Sequence, residues 1–133
     1  MEKATKAVFV YWTPVAIWMA IIFFLSSRAS ITVSPEYWLN FLFFKTLHVI
    51  EYAILFILLV RATRSYTAAF VLTLLYATTD EFHQQFVPSR EGRVRDVIID
   101  GIGAGLVWYY LVKQLPKAPQ RLKKWARSWD VPF

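Results

Sequence analysis

The sequence contains no cysteine. That excludes disulfides, thiolate-ligated metal sites and cysteine nucleophiles. Charge is also scarce: 18% of the 133 residues are Asp, Glu, Lys or Arg, against 57% hydrophobic. A soluble domain of this length carries more charge and fewer apolar runs. There is no Gly-rich phosphate loop and no base-stacking motif, so nucleic acid is not an expected partner. No serine nucleophile motif stands out either, and nothing in the chain calls for a cofactor.

What is present is a series of long apolar segments that carry ionisable residues. Mean hydropathy is positive, at +0.41. Phe41–Val60 is long and apolar enough to span a bilayer, yet it contains Lys45, His48 and Glu51. The next apolar segment ends in Asp80-Glu81-Phe82-His83-Gln84-Gln85-Phe86, and the last opens with Asp96 and Asp100. An ionisable group in hydrocarbon costs roughly 3 kcal/mol on insertion scales, so such residues mark a functional site by default.

The pattern predicts an all-α fold, a polytopic membrane bundle of four transmembrane helices with a short basic amphipathic C-terminal segment. The helices fall at about residues 8–25, 38–60, 65–86 and 96–113, each approaching the ~20 residues that ~30 Å of hydrocarbon requires. Residues 1–112 form the transmembrane domain and residues 113–133 a basic tail. Lys3 and Lys6 before the first segment and Ser27-Arg28-Ala29 after it resemble a signal peptide. The apolar run is long for one, which favours a retained span. Ser34-Pro35 predicts an N-cap followed by proline at the first helical position, starting the second helix before Trp38.

Basic residues give the orientation. With four spans, Lys3, Lys6, Arg61, Arg64 and the tail share one side, which the positive-inside rule makes cytoplasmic. The chain is therefore expected in a bacterial cytoplasmic membrane, multi-pass, with both termini cytoplasmic. Arg28, Arg90, Arg93 and Arg95 lie on the opposite side, partly offset by Glu36, Glu91 and Asp96. Arg93 and Arg95 are expected to face headgroups. In the tail, Leu122, Trp125 and Trp129 recur at i, i+3, i+7 among Lys113, Lys117, Arg121, Lys123, Lys124 and Arg127. That composition suits a helix lying on anionic membrane lipids; the alternative is a solvated tail. Pro116 and Pro119 separate it from the fourth helix.

Counting at ~1.5 Å per residue from the cytoplasmic charges places Glu51 about 15 Å up, His48 and Asp100 about 20 Å, Lys45 and Asp80 about 24 Å, and Asp96 about 26 Å. Three helices thus deliver polar residues to one layer in the outer half of the bilayer. Facial spacing agrees. Lys45, His48 and Tyr52 share a face with Glu51 at its margin; Thr73, Tyr76, Asp80, His83 and Gln84 form a stripe; Asp96, Asp100 and Gly103 form another. Polar stripes turn inward because lipid cannot satisfy them. Glu81 is expected to point elsewhere, at a helix end reaching the solvated interface. Gly101 and Gly105 form a small-xxx-small pair suited to helix packing.

His48 is the natural proton carrier, because imidazole titrates near neutrality. With Glu51, Asp80 and His83 it makes a candidate acid–base set. Lys45, Tyr52, Gln84, Asp96 and Asp100 are candidate substrate contacts. Arg90, in the outer loop, offers a planar fork for a carboxylate or phosphate, or else pairs with Asp96. His48-x-x-Glu51 and Asp80-x-x-His83, completed by Asp96 or Asp100, have the form of a carboxylate–histidine metal site. Lys45 beside them opposes a cation, and no metal is expected.

These residues, in order, are similar to the pattern of the VanZ-like family of small bacterial membrane proteins. The resemblance rests on Lys45-x-x-His48-x-x-Glu51-Tyr52, on Asp80-Glu81-x-His83-Gln84-x-Phe86-x-Pro88-x-Arg90, and on Asp96-x-x-x-Asp100-x-x-Gly103. The helix ending Phe24-Leu25-Ser26-Ser27 also resembles the family's. It covers most of residues 8–112 and leaves the tail outside. The chain departs from the pattern at Ser89, where glycine is frequent, and at Asp100, where asparagine is common. For the founding member the resemblance implies resistance to teicoplanin-type glycopeptide antibiotics. It points to peptidoglycan precursors as the substrate class.

Three functions follow as expectations. One is an enzyme that uses water to act on a lipid-linked envelope precursor at the outer face. Another is a non-catalytic module that binds an antibiotic, a lipid intermediate or a partner protein. A proton or solute path is disfavoured, because Ile54–Val60, Ala68–Leu75 and Leu106–Leu111 are nearly all apolar.

Overall fold

A computed structural model describes residues 2–28, 35–90 and 92–132. Among these the fold is all-helical, with five α-helices and no strand. They are α1 (Glu2–Ser26), α2 (Tyr37–Thr63), α3 (Tyr66–Gln84), α4 (Val94–Tyr109) and α5 (Gln120–Ser128). α4 runs on through a π-helical turn at Tyr110–Gln114 and a 3₁₀ turn at Leu115–Lys117, where Pro116 ends the path.

The second helix does begin before Trp38, but the cap differs from the expectation. Glu36 is its N-cap, in extended conformation and without a side-chain cap bond. Pro35 therefore precedes the helix, and the proposed cap Ser34 lies outside the described residues. α2 ends where Arg64 turns left-handed (φ 57°) and its N–H reaches the Val60 carbonyl. Ser65 then caps α3 by accepting from the Ala68 N–H at 3.2 Å.

α2 is the centre of the bundle. It packs against α1, α3 and α4, and α3 packs against α4, whereas α1 only grazes α3. Tyr52, Leu55, Phe56 and Val60 of α2 are fully buried, facing Ala69, Ala77 and Ala104. Small residues let the helices approach. A Cβ on Gly103 would lie 3.0 Å from Val49 Cγ1 of α2, and one on Gly101 2.8 Å from Leu74 Cδ2 of α3. Gly105, the other member of the expected pair, faces Phe70 with room to spare (4.0 Å). Below this layer Phe70 and Trp108 meet at a tilt, ring centres 5.5 Å apart, with Tyr66 stacked parallel to the indole.

The outer surface is greasy. Val8–Ser26 and Tyr37–Thr63 are long and apolar enough to cross a membrane, yet only 11% and 28% of their apolar windows are buried. The core helix of a soluble protein would be mostly buried; these present their apolar faces outward, as a membrane protein does. α3 and α4 do not pass the same test. Acidic and amide side chains occupy the end of α3, and α4 has 16 residues before its backbone changes pitch.

The tail folds back on the bundle. Tyr11 OH donates to Asp130 Oδ2 at 3.0 Å, Arg64 donates to the Asp130 carbonyl at 3.1 Å, and Tyr66 OH donates to the Pro132 carbonyl. Ala126 and Val131 are buried, while Trp125 and Trp129 stay exposed. Arg61 lies over the rings of both Tyr11 and Trp129. The basic turn between α2 and α3 and the basic tail therefore share one end of the bundle.

Candidate functional site

The polar side chains gather at the other end, where α1 and α3 finish and α2 and α4 begin. Asp80 of α3 is the first hub. It is 3% exposed and accepts three hydrogen bonds: from Ser26 Oγ of α1 at 2.5 Å, Tyr52 OH of α2 at 3.2 Å and Gln84 Nε2 at 3.0 Å. A carboxylate held by donors from three helices is fully satisfied, and it fixes their register. Tyr76, on the same stripe, reaches α1 by donating to the Met19 carbonyl at 2.6 Å.

The second hub joins α2 to α4. Lys45 Nζ lies 2.5 Å from Asp96 Oδ2, and Arg95 Nε lies 3.6 Å from the other Asp96 oxygen. One turn deeper, His48 Nδ1 faces Asp100 Oδ2 at 3.9 Å, beyond hydrogen-bond distance. His48 Nδ1 and both Asp100 oxygens are buried without a hydrogen-bond partner. Glu81 Oε1 is in the same condition. Donor atoms of His48, Glu81 and Asp100 all lie within 4.8 Å of one another, a set able to hold a metal ion.

Glu81 corrects the sequence reading. It does not point away from the bundle: it is 5% exposed. Its other oxygen accepts from the Arg93 backbone N–H at 2.9 Å. The loop after α3 makes this contact by crossing directly over Glu81. A Cβ on Gly92 would sit 1.9 Å from the Glu81 carbonyl oxygen, so only glycine permits the approach. Ser26 was also not singled out as a site residue. Its partner lies 54 residues away in sequence; the Leu25-Ser26-Ser27 helix end was the available signal.

The remaining candidates take different places. Glu51 is half-buried and close enough to His48, Asp80, Asp100 and Arg90 to interact with each electrostatically. His83 stacks on Phe23 of α1 at 4.5 Å, and its buried Nδ1 has no partner. The Asp80–His83 spacing that has the form of a metal-ligand pair does not converge: Asp80 is taken up by three donors and His83 by an aromatic ring.

Arg90 does not pair with Asp96. It donates to the Arg28 carbonyl at 2.8 Å and the Leu25 carbonyl at 3.5 Å, satisfying the C-terminal end of α1. Asp96 has Lys45 instead. The loop carrying Arg90 turns at Ser89, which adopts the left-handed conformation (φ 63°) that glycine takes without strain. Arg93 and Arg95 are exposed, Arg95 above the Phe41 ring. A cavity of about 260 Å³ lies elsewhere, in an apolar cleft lined by Trp12, Val15, Met19, Leu59, Leu72 and Tyr76.

Comparison with known families decides the relationship. The family model described as VanZ/LLP1 matches residues 7–113, which includes both hubs and leaves out the tail. The chain belongs to the VanZ/LLP1 family. No curated protein and no solved structure matches it. In this VanZ-like chain the matched region brings the ordered residues Lys45, His48, Tyr52, Asp80, Gln84, Asp96 and Asp100 into one polar layer. Its chemical capacities are those of its unsatisfied groups: an imidazole that can carry a proton, both oxygens of Asp100 and one of Glu81 without donors, and a neighbouring ammonium held by Asp96.

Proposed function

We propose that this VanZ-like protein crosses the membrane four times. The polar layer then faces the outer leaflet, where it acts on a lipid-linked envelope precursor. Exposed apolar side chains on α3 (Val71, Leu75) and α4 (Ile98, Ile102, Leu106) support the two further spans. Exposed Tyr37 and Trp38 at one end, and Trp125 and Trp129 at the other, suit the two interfacial aromatic belts. The shared position of Arg61, Arg64 and the basic tail supports a cytoplasmic assignment for that end.

The observation that carries the catalytic part is the open pair His48 Nδ1 and Asp100 Oδ2, 3.9 Å apart and both unpartnered. Catalytic hydrogen bonds are often long without substrate and tighten in the complex. His48 would accept a proton from a water whose oxygen bonds to a phosphoryl or acyl centre of the headgroup; the bond from that centre to its leaving group breaks, the imidazolium returns the proton to the departing group, and Asp100 orients the ring. Arg90, whose guanidinium is only partly engaged by the carbonyls at the end of α1, would supply positive charge toward an anionic headgroup; Lys45 would do so only on release from Asp96. The substrate class comes from the family resemblance, and so does a contribution to glycopeptide resistance. The test is the teicoplanin susceptibility of cells producing the wild type or His48→Ala at equal levels. The reading requires resistance to fall with the variant; equal resistance in both sinks it.

A second reading has its own support. Full satisfaction of Asp80 by three donors suits architecture as well as chemistry. On that reading the protein is a non-catalytic module that holds an antibiotic, a lipid intermediate or a partner, and resistance survives His48→Ala.

A further inference from the structure

Three polar groups with unpartnered atoms converge where α2, α3 and α4 meet. Asp100 is 1% exposed and neither of its oxygens has a hydrogen-bond partner. Glu81 is 5% exposed and its Oε1 has none; His48 Nδ1 has none. Leaving several buried polar atoms unpaired costs about 1–3 kcal/mol each, more for charged groups. His48 stands 3.9 Å from Asp100, beyond hydrogen-bond distance, and the two carboxylates offer only acceptors to each other.

The charge balance points the same way. Lys45 would repel a cation if it were free, but Asp96 neutralises it at 2.5 Å. Glu81 and Asp100 then bring two formal negative charges to the ligand atoms, with half-buried Glu51 nearby, and one divalent ion cancels those two. Ligand atoms ~2.1 Å from a tetrahedrally bound ion stand about 3.4 Å apart. The three here lie within 4.8 Å of one another, so side-chain adjustment of up to about 1.4 Å brings them to that spacing. One nitrogen and two carboxylates, with no sulfur, form a donor set for a first-row transition ion rather than for the all-oxygen cages of Ca²⁺ or Mg²⁺.

We propose that His48, Glu81 and Asp100 bind one divalent transition-metal ion, with Zn²⁺ and Mn²⁺ the best-suited. The ligand set differs from the one spacing suggests, since Asp80 and His83 are engaged elsewhere. Arg93 serves as a positioning residue: its N–H holds Glu81 Oε2 and so aims Oε1 at the other two ligands. An ion held here takes the place of the direct His48–Asp100 pair, so this site and the proton-accepting role proposed for His48 are alternatives that Mn²⁺ binding separates.

The test uses the full chain purified in detergent, stripped with chelator and titrated with Mn²⁺ while the free-ion electron paramagnetic resonance signal is followed. Zn²⁺ is added as competitor. The expected result is one Mn²⁺ per chain, displaced by Zn²⁺. Asp100→Asn, which keeps size and shape, and Glu81→Gln should each weaken binding at least about tenfold, since even a group that only orients a ligand is worth that much. Glu36→Gln, at the exposed N-cap of α2, should bind as the wild type does. Helical circular dichroism checks that each variant is folded, and either ligand variant alone suffices. Wild-type protein that takes up no Mn²⁺ and no Zn²⁺ overturns the proposal. So does a folded ligand variant with unchanged affinity.

Discussion

Lys45 and Asp96 tie α2 to the first turn of α4, with Nζ 2.5 Å from Oδ2 and side chains 19% and 8% exposed. Removing one member of such a pair strands the other charge in a low-dielectric layer. Lys45→Met should cost about 3 kcal/mol of stability, whereas Lys45→Met combined with Asp96→Leu should cost much less. Thermal unfolding in detergent, followed by tryptophan fluorescence, measures the cycle. Single losses that simply add in the double variant would mean the two charges do not interact.

The glycines separate by what surrounds them. Gly92→Ala would drive a Cβ to 1.9 Å from the Glu81 carbonyl oxygen, so the loop must lift and the Arg93–Glu81 bond must break. The cost should exceed about 2 kcal/mol, in the range of backbone-incompatible substitutions. Gly105→Ala has its nearest obstacle at 4.0 Å and should gain up to about 1 kcal/mol from helix propensity. The same unfolding measurement decides: an equal response from both variants contradicts the close loop approach.

The absence of cysteine makes topology directly accessible. Glu36→Cys, before α2, should react with a membrane-impermeant maleimide in intact cells. Ser128→Cys, at the end of α5, should react only after permeabilisation. Reversed labelling would turn the proposed orientation over, and labelling of both in intact cells would remove the even number of spans.

Much of the polar layer was legible from helical spacing. Lys45, His48 and Tyr52 repeat on one face of α2, Asp96 and Asp100 on one face of α4, and lipid leaves such faces nowhere to go but inward. Partners were less legible than positions. Asp80 and Glu81 are adjacent on a helix near its end, and spacing assigns one to the interior and the other to the interface. Both are buried, because the distant Gly92–Arg93 segment folds over Glu81. Arg90 could be matched to Asp96 by charge, but charge does not reveal that Lys45 reaches Asp96 first or that carbonyls at the end of α1 await a donor. The docking of Asp130 and Pro132 against Tyr11, Arg64 and Tyr66 likewise joins segments with no shared periodicity.

The central claim is that the layer around His48 acts on a lipid-linked envelope precursor. Mass spectrometry of the precursor pool tests it most directly, in cells lacking the protein and in cells producing the wild type or His48→Ala at equal levels. The account predicts a precursor species whose abundance changes with the wild type and returns to the protein-free level with His48→Ala. Identical precursor pools in all three would contradict it.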